Sequence, residues 1–157
     1  MNQMKVIIRR LYKLSKMPII LYIEKKDKEK YYDKILSKDS PIGRAKEIQN
    51  KHVFLLAAFY GFLHNAKNEI NNRRDFIRTE YFTEEDKHLL FTLAVKYSND
   101  LHILNKDNYK EVFTIIEEYA NAGVKILFGK IFNEKASFRK ILEADLVEQY
   151  NLIKENI

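Results

Sequence analysis

The sequence lacks cysteine altogether and contains only four glycines and two prolines in 157 residues. The absence of cysteine excludes disulfide bonds, thiolate zinc sites and a cysteine nucleophile. A glycine-rich phosphate loop is also missing, because the nearest candidate, "SPIGRAK", has one glycine and the wrong spacing to its lysine. The sequence has no recognisable signal peptide and no apolar run of about 20 residues, so we expect a soluble, cytoplasmic protein without a membrane partner.

The positive charge of the sequence is concentrated in its first third. Residues 1–51 contain 14 Lys and Arg against 6 Asp and Glu, whereas residues 52–157 contain 14 against 16. Such an asymmetry is typical of proteins that bind an anionic partner such as nucleic acid. A lysine-rich surface without any such partner explains the same charge, and composition does not decide between the two interpretations.

The spacing of apolar residues predicts a mostly α-helical protein, a single compact bundle of five or six helices with at most a short N-terminal strand. The predicted helices cover residues 4–16, 27–38, 51–66, 84–97, 108–128 and 136–155. Four of them have candidate N-caps: Asp27 begins the 27–38 segment, and Asn50, Thr83 and Asp107 directly precede theirs. The expected apolar faces are Met4, Ile7, Ile8, Leu11 and Leu14 in the first helix and Phe138, Ile141, Leu142, Leu146, Tyr150 and Ile153 in the last.

Two segments outside the helices have patterns of their own. The β-branched and aromatic stretch "IILYIE" at 19–24 predicts a short strand, and the Asn-rich segment 68–82 predicts a loop with a short extended piece at 75–77. No linker separates two domains. Residues 1–157 are therefore expected to form one helical domain, with a basic N-terminal part at 1–40, a core at 41–132 and a C-terminal helix at 133–157.

Small residues interrupt the predicted long helix at "EEYANAGVKIL", residues 117–127. Ala120 and Gly123 share a helix face, and a glycine inside a helix costs about 1 kcal/mol relative to alanine. Close approach of another backbone offsets this cost. The expected partner is the most apolar helix, which carries Ala57 and Gly61 and is expected to be central in the core. The alternative is that one helix ends at Gly123 and another begins.

The order of five segments resembles a known family: "SPIG", "VFLLAAFYGF", an arginine-bearing loop, "FTEEDKHLLFTLAV" and "IIEEYANAGVKIL". Over about residues 40–130 this order is similar to small proteins encoded beside bacterial and archaeal DNA phosphorothioation (Dnd-type) defence genes. Their late signature, "EEYAN", a small residue and Gly, corresponds here to 117–123, with Ala122 where a second glycine is common. The resemblance implies an accessory role in DNA modification, phosphorothioate-dependent restriction or phage defence, without a named reaction.

The residues that could carry catalysis lack the required spacing. A metal-dependent nuclease needs an Asp followed by an acid-x-Lys unit on a neighbouring strand. Glu24 and Lys26 have no acidic residue before them, and Glu85 and Lys87 lie at a predicted helix start. No two histidines have the i, i+4 spacing of a zinc site among His52, His64, His88 and His102. We therefore expect a protein that is not an enzyme and needs neither a metal nor a cofactor.

Adjacent acids at 117 and 118 point about 100° apart on a helix, so they cannot face each other as a catalytic pair. A solvated face is the expected location for both. Exposed aromatic side chains are instead the expected protein-docking residues, because Tyr and Phe are enriched at interfaces. The candidates are Tyr12, Tyr22, Tyr31, Tyr32 and Tyr60.

Seven cations are candidate contacts to nucleic-acid phosphates. They are Arg9, Arg10, Lys13 and Lys16 in the first helix and Arg73, Arg74 and Arg78 in the 68–82 segment. The resulting hypothesis is a non-catalytic accessory protein of a DNA modification and restriction system, which docks on partner proteins, with DNA and a second copy as further candidate partners. The alternative is a stand-alone DNA-binding regulator, since residues 19–64 follow the strand-helix order of a ribbon-helix-helix unit.

Overall fold

The computed structural model describes residues 2–133 and 136–155. Residues 1, 134–135 and 156–157, which the predicted N-terminal part and C-terminal helix include, lie outside this range. The helices are α1 (Gln3–Ser15), α2 (Asp33–Ile35), α3 (Asn50–Leu63), α4 (Glu84–Ser98), α5 (Tyr109–Phe132) and α6 (Phe138–Glu155). The strands are β1 (Ile20–Glu24) and β2 (Arg73–Arg78). The prediction of a mostly helical protein is confirmed.

The two strands form one antiparallel sheet, in which Ile20 pairs with Arg78 and Glu24 pairs with Arg73. A bulge interrupts the register between Leu21 and Tyr22. The pattern of 68–82 predicted a loop with an extended piece at 75–77, and the observed strand is longer. Because its partner lies about fifty residues earlier in the chain and most of its side chains are exposed, local alternation does not reveal it.

The centre of the molecule is the crossing of α3 and α5. α3 buries Val53, Phe54 and Ala57 among others, and α5 buries the larger set, from Val112 to Ile131. α5 runs without interruption through residue 123, so the alternative of a helix break there is wrong. α4 packs against both helices of this pair, and α1 packs against α4. β1 packs against α5, where the Tyr22 N–H donates to Glu117, and Leu21 and Ile23 of β1 are buried.

Three predicted helix starts differ in detail from the observed ones, and one agrees. The Thr83 hydroxyl accepts the N–H of Asp86, and the Asp86 carboxylate accepts the N–H of Thr83, as a helix cap requires. α3 is capped by Gln49 rather than Asn50. Asp107 lies in a 3₁₀ turn before α5. The predicted 27–38 helix is a π-helical turn at Lys28–Tyr32 that continues into α2.

The outer helices leave apolar side chains exposed where the periodicity predicted a buried face. In α1 Leu14 is buried, but Met4 and Ile8 are exposed. In α6 Phe138 is buried, whereas Leu146, Tyr150 and Ile153 are exposed. A helical period identifies an apolar stripe without identifying what covers it. Across 2–133 and 136–155, every helix is too short or too polar to cross a lipid bilayer.

Candidate functional site

Three of the predicted α1 cations line a cleft at the surface. Arg9, Arg10 and Lys13 face Asn105 to Asp107 across a volume of about 370 Å³. The ion pairs within the described part of the chain involve none of these three cations. Lys16 differs, because its Nζ lies 3.2 Å from Glu84 Oε1. The structure therefore places three cations together on α1, beside Asp107 but without an ion pair.

The three arginines of β2 do not form one cluster. Arg73 and Arg78 stand at opposite ends of the strand, which separates their Cα atoms by roughly 17 Å at about 3.3 Å per residue. Arg74 and Arg78 are exposed. Arg73 is tied to the fold, since its Nη2 lies 2.7 Å from Glu117 Oε2 and its guanidinium stacks 4.4 Å from the centre of the Tyr22 ring.

Glu117 is buried, with 2% of its surface exposed, so the expected solvated face is wrong for this residue. One carboxylate oxygen accepts a hydrogen bond from the backbone N–H of Tyr22 at 2.9 Å, and the other accepts one from Arg73 Nη2 at 2.7 Å. Burial raises the pKa of Glu117 to about 7, against the lowering influence of the Tyr22 N–H and the Arg73 charge. Its helix neighbours Phe113 and Ala120 are apolar, which is the one local signal that could have indicated burial.

The Glu117–Arg73 pair lies at one end of a cleft of about 560 Å³ between β1 and the first half of α5, here called the β1–α5 cleft. Its lining is mixed, with apolar and aromatic side chains beside two cations. The lining residues are Pro18, Ile19, Ile20, Tyr22, Arg73, Tyr109, Lys110, Phe113, Thr114 and Glu117. This cleft is larger than the one beside the α1 cations, which has a volume of about 370 Å³.

β1 borders this cleft with the edge opposite the one that pairs with β2. Ile19 C=O accepts the N–H of Thr79 at 2.8 Å, and the N–H of Lys25 donates to Asn72 C=O at 2.8 Å, so odd-numbered residues bond toward β2. Since these groups alternate along a strand, Ile20 and Tyr22 direct theirs toward α5. Glu117 occupies the Tyr22 N–H. The part of this edge that Glu117 does not bind, at Ile20, borders the cleft.

The rest of the 117–123 signature also anchors the fold. Glu118 Oε2 lies 2.8 Å from Lys67 Nζ, which sits 4.0 Å from the centre of the Tyr97 ring. Asn121 Nδ2 donates to the carbonyl oxygens of Asn68 and Glu69, both at 3.1 Å. These contacts fasten the segment before β2 onto α5. Glu117, Glu118 and the Asn121 Nδ2 group of the signature are thus engaged in ion pairs and hydrogen bonds within the chain.

The small residues of the predicted crossing meet where α3 and α5 touch. A Cβ added to Gly61 would lie 2.1 Å from Tyr119 C=O, and one added to Gly123 would lie 1.7 Å from Ala57 C=O. Ala57 and Ala120 are fully buried. Both glycines therefore face the backbone of the opposite helix at a distance that no side chain fits.

The candidate docking tyrosines divide into three groups. Tyr12 is exposed, and Tyr22 and Tyr31 are half-buried. Tyr32 and Tyr60 are buried, so their prediction as surface residues is wrong. Tyr60 donates its hydroxyl to Asp145 Oδ2 at 2.8 Å, which attaches α6 to α3. Among the residues that the structure describes, no group of three or more His, Asp or Glu side chains is placed to hold a metal ion.

Comparison with known proteins identifies the family. The family model described as DNA sulphur modification system-associated protein 4 matches residues 24–155, a longer stretch than the 40–130 region of the resemblance. No curated protein and no solved structure matches the chain. The resemblance to the Dnd-associated proteins is confirmed, and the chain belongs to the family of DNA sulphur modification system-associated protein 4.

Proposed function

We propose that the chain is a non-catalytic accessory protein of a cytoplasmic DNA sulphur modification system that serves restriction and phage defence. In this role it docks on partner proteins and contacts DNA through α1 and the exposed arginines of β2. The family's association with such a system supports the accessory part of the proposal. The contacts of the 117–123 signature also support a non-catalytic role. Glu117, Glu118 and Asn121 bind other segments of the same chain and so hold the fold together.

Exposed apolar side chains supply a docking surface for partner proteins. On α6 these are Leu146, Val147, Tyr150 and Ile153, and on α1 they are Met4, Ile8 and Tyr12. Aromatic and aliphatic residues of this kind are typical of the centre of protein interfaces. A protein of the same system, or a second copy of this chain, is the proposed occupant.

The alternative of a stand-alone ribbon-helix-helix regulator has weaker support. In such regulators the DNA-reading ribbon is made of strands that pair with each other. Here β1 pairs with β2 of its own chain, and the Arg73 guanidinium stacks on Tyr22. The exposed α1 cations favour phosphate contacts over base reading.

DNA binding is tested by replacing five cations with glutamine: the exposed Arg9, Lys13, Arg74 and Arg78, and the half-buried Arg10. Arg73 is kept because it neutralises the buried Glu117. We expect DNA affinity to fall at least about tenfold, and the slope of log affinity against log salt concentration to decrease by about 0.9 for each phosphate that the variant no longer neutralises. Fluorescence anisotropy with a labelled duplex at several salt concentrations measures both quantities.

The matched control carries the same charge change at exposed lysines elsewhere, namely Lys34, Lys38, Lys96, Lys140 and Lys154. It should retain most of the affinity of the wild-type chain. Unchanged DNA affinity in the α1–β2 variant would remove DNA from the proposed function. Equal losses in both variants would show that net charge, rather than this surface, governs binding.

A further inference from the structure

Extending the docking role proposed above, on which this step rests, we propose that the β1–α5 cleft binds the C-terminal segment of a partner protein as an added strand. The segment lies along the free edge of β1 at Ile20, parallel to β1, and its terminal carboxylate is held by Arg73. Its apolar side chains occupy the cleft against Phe113 and Tyr109.

The free strand edge is the first reason. β1 has a strand partner on one side only, and the backbone groups of Ile20 point into the cleft. Extended peptides bind such edges through main-chain hydrogen bonds, with selectivity from pockets that receive alternate side chains. The α5 residues Tyr109, Phe113 and Thr114 line the cleft opposite this edge and supply the surface that such side chains would contact.

The size and lining of the cleft fit a short segment. About 560 Å³ lies within the range of about 300–1,000 Å³ that is typical of binding pockets. Pro18, Ile20, Tyr109 and Phe113 supply apolar surface, and exposed Thr114 stands on the α5 wall. A segment with one or two apolar side chains facing α5 is therefore complementary.

The free edge of β1 ends at Tyr22, and this favours a bound segment whose chain terminates there. Glu117 already accepts the Tyr22 N–H, so a strand added at Ile20 cannot continue past Tyr22. Arg73 stands at that point with half of its side chain exposed, and only its Nη2 is engaged with Glu117. An arginine has five N–H donors, which leaves several for a carboxylate.

The charges of the cleft agree with an anionic terminus. Arg73 and Lys110 are two cations against the single carboxylate of Glu117, and Lys110 lies about 10 Å along α5 from Glu117 by helical rise. The net charge of the lining is positive. A free C-terminal carboxylate at Arg73 compensates this net positive charge, whereas a C-terminal amide does not.

The binding test uses the full chain and two synthetic pools of randomised nonapeptides, one with free C-termini and one with C-terminal amides. The wild-type chain is expected to enrich apolar C-terminal sequences from the free-acid pool, and amidation of an enriched peptide is expected to weaken binding at least tenfold. Equal enrichment from the two pools, or none from either, would overturn the proposal.

Two single substitutions locate the binding. Thr114→Trp fills the cleft from an exposed position, and Glu111→Trp adds the same side chain at an exposed position of the same helix outside the cleft lining. Thermal unfolding establishes that both variants fold. Enriched peptides should bind Thr114→Trp at least tenfold more weakly and Glu111→Trp as they bind wild type. Similar binding to all three chains would contradict a site in the cleft.

Affinity isolation from cells that produce the whole modification system distinguishes failure of this proposal from failure of the docking role on which it rests. Loss of a partner protein with Thr114→Trp but not with Glu111→Trp supports the cleft. Retention of every partner by Thr114→Trp overturns the cleft while the docking role stands. Recovery of the wild-type chain without any protein of the system overturns both.

Discussion

Gly123→Ala is expected to lower the free energy of unfolding by about 3 kcal/mol or more, a large part of the stability of an ordinary domain. The added Cβ would lie 1.7 Å from Ala57 C=O and 2.5 Å from the Gly61 nitrogen. Both atoms belong to the backbone of α3, so neither can rotate away as a side chain would. The helices would have to separate, and the core between them would pack less tightly.

Gly129→Ala is the matched control on the same helix. A Cβ at this position would meet only Asn133 Nδ2, at 3.9 Å. The substitution therefore brings the higher helix propensity of alanine without a clash and should raise the free energy of unfolding by about 0.5–1 kcal/mol. Urea unfolding followed by circular dichroism measures both variants. Equal stabilities would contradict the close crossing of α3 and α5.

Glu117→Gln is expected to remove a pH dependence of stability. The carboxyl of Glu117 binds its proton more tightly in the folded chain, where its pKa is about 7, than in the unfolded chain, where a glutamate pKa is about 4.5. Its contribution to stability is therefore fully present below about pH 4.5 and is lost as the pH rises through 7. At 1.36 kcal/mol per pKa unit, the loss between pH 5 and pH 8 is about 2.5 kcal/mol.

The measurement compares wild type and Glu117→Gln by urea unfolding at several values between pH 5 and pH 8. The difference between the two free energies isolates Glu117, because other titrating groups are common to both chains. We expect that difference to change by about 2 to 3 kcal/mol across the window, with wild type relatively more stable at low pH. A constant difference would show that Glu117 does not titrate there.

The helices could be predicted from sequence because their signals are local. The Thr83 cap and the apolar period of α5 act within a few residues, and they locate α4 and α5 closely. The meeting of Ala57, Gly61, Ala120 and Gly123 follows from the same kind of reasoning, since small residues on two helices permit close approach. Only residues 75–77 of β2 were predicted to be extended, and its full length could not be predicted because its partner strand is distant in the chain.

The candidate site was only partly predictable for the same reason. The α1 cations are evident from the composition of the first third of the chain, and Arg9, Arg10 and Lys13 take no part in the ion pairs of the described residues. The role of Arg73 depends on Glu117, forty-four residues away, and no local pattern connects them. The β1–α5 cleft is likewise a product of tertiary packing. Sequence indicated a charged surface, and the fold supplied the cleft.

The most direct test of the accessory role is a titration of the purified chain into the remaining proteins of its DNA sulphur modification system, with the system's reaction on DNA as the readout. A protein that acts by docking is expected to raise the rate in proportion to its amount, until one fixed molar ratio to its partner is reached. A full rate with about one hundredth of that amount would mean that the chain turns over as a catalyst, and would contradict the account.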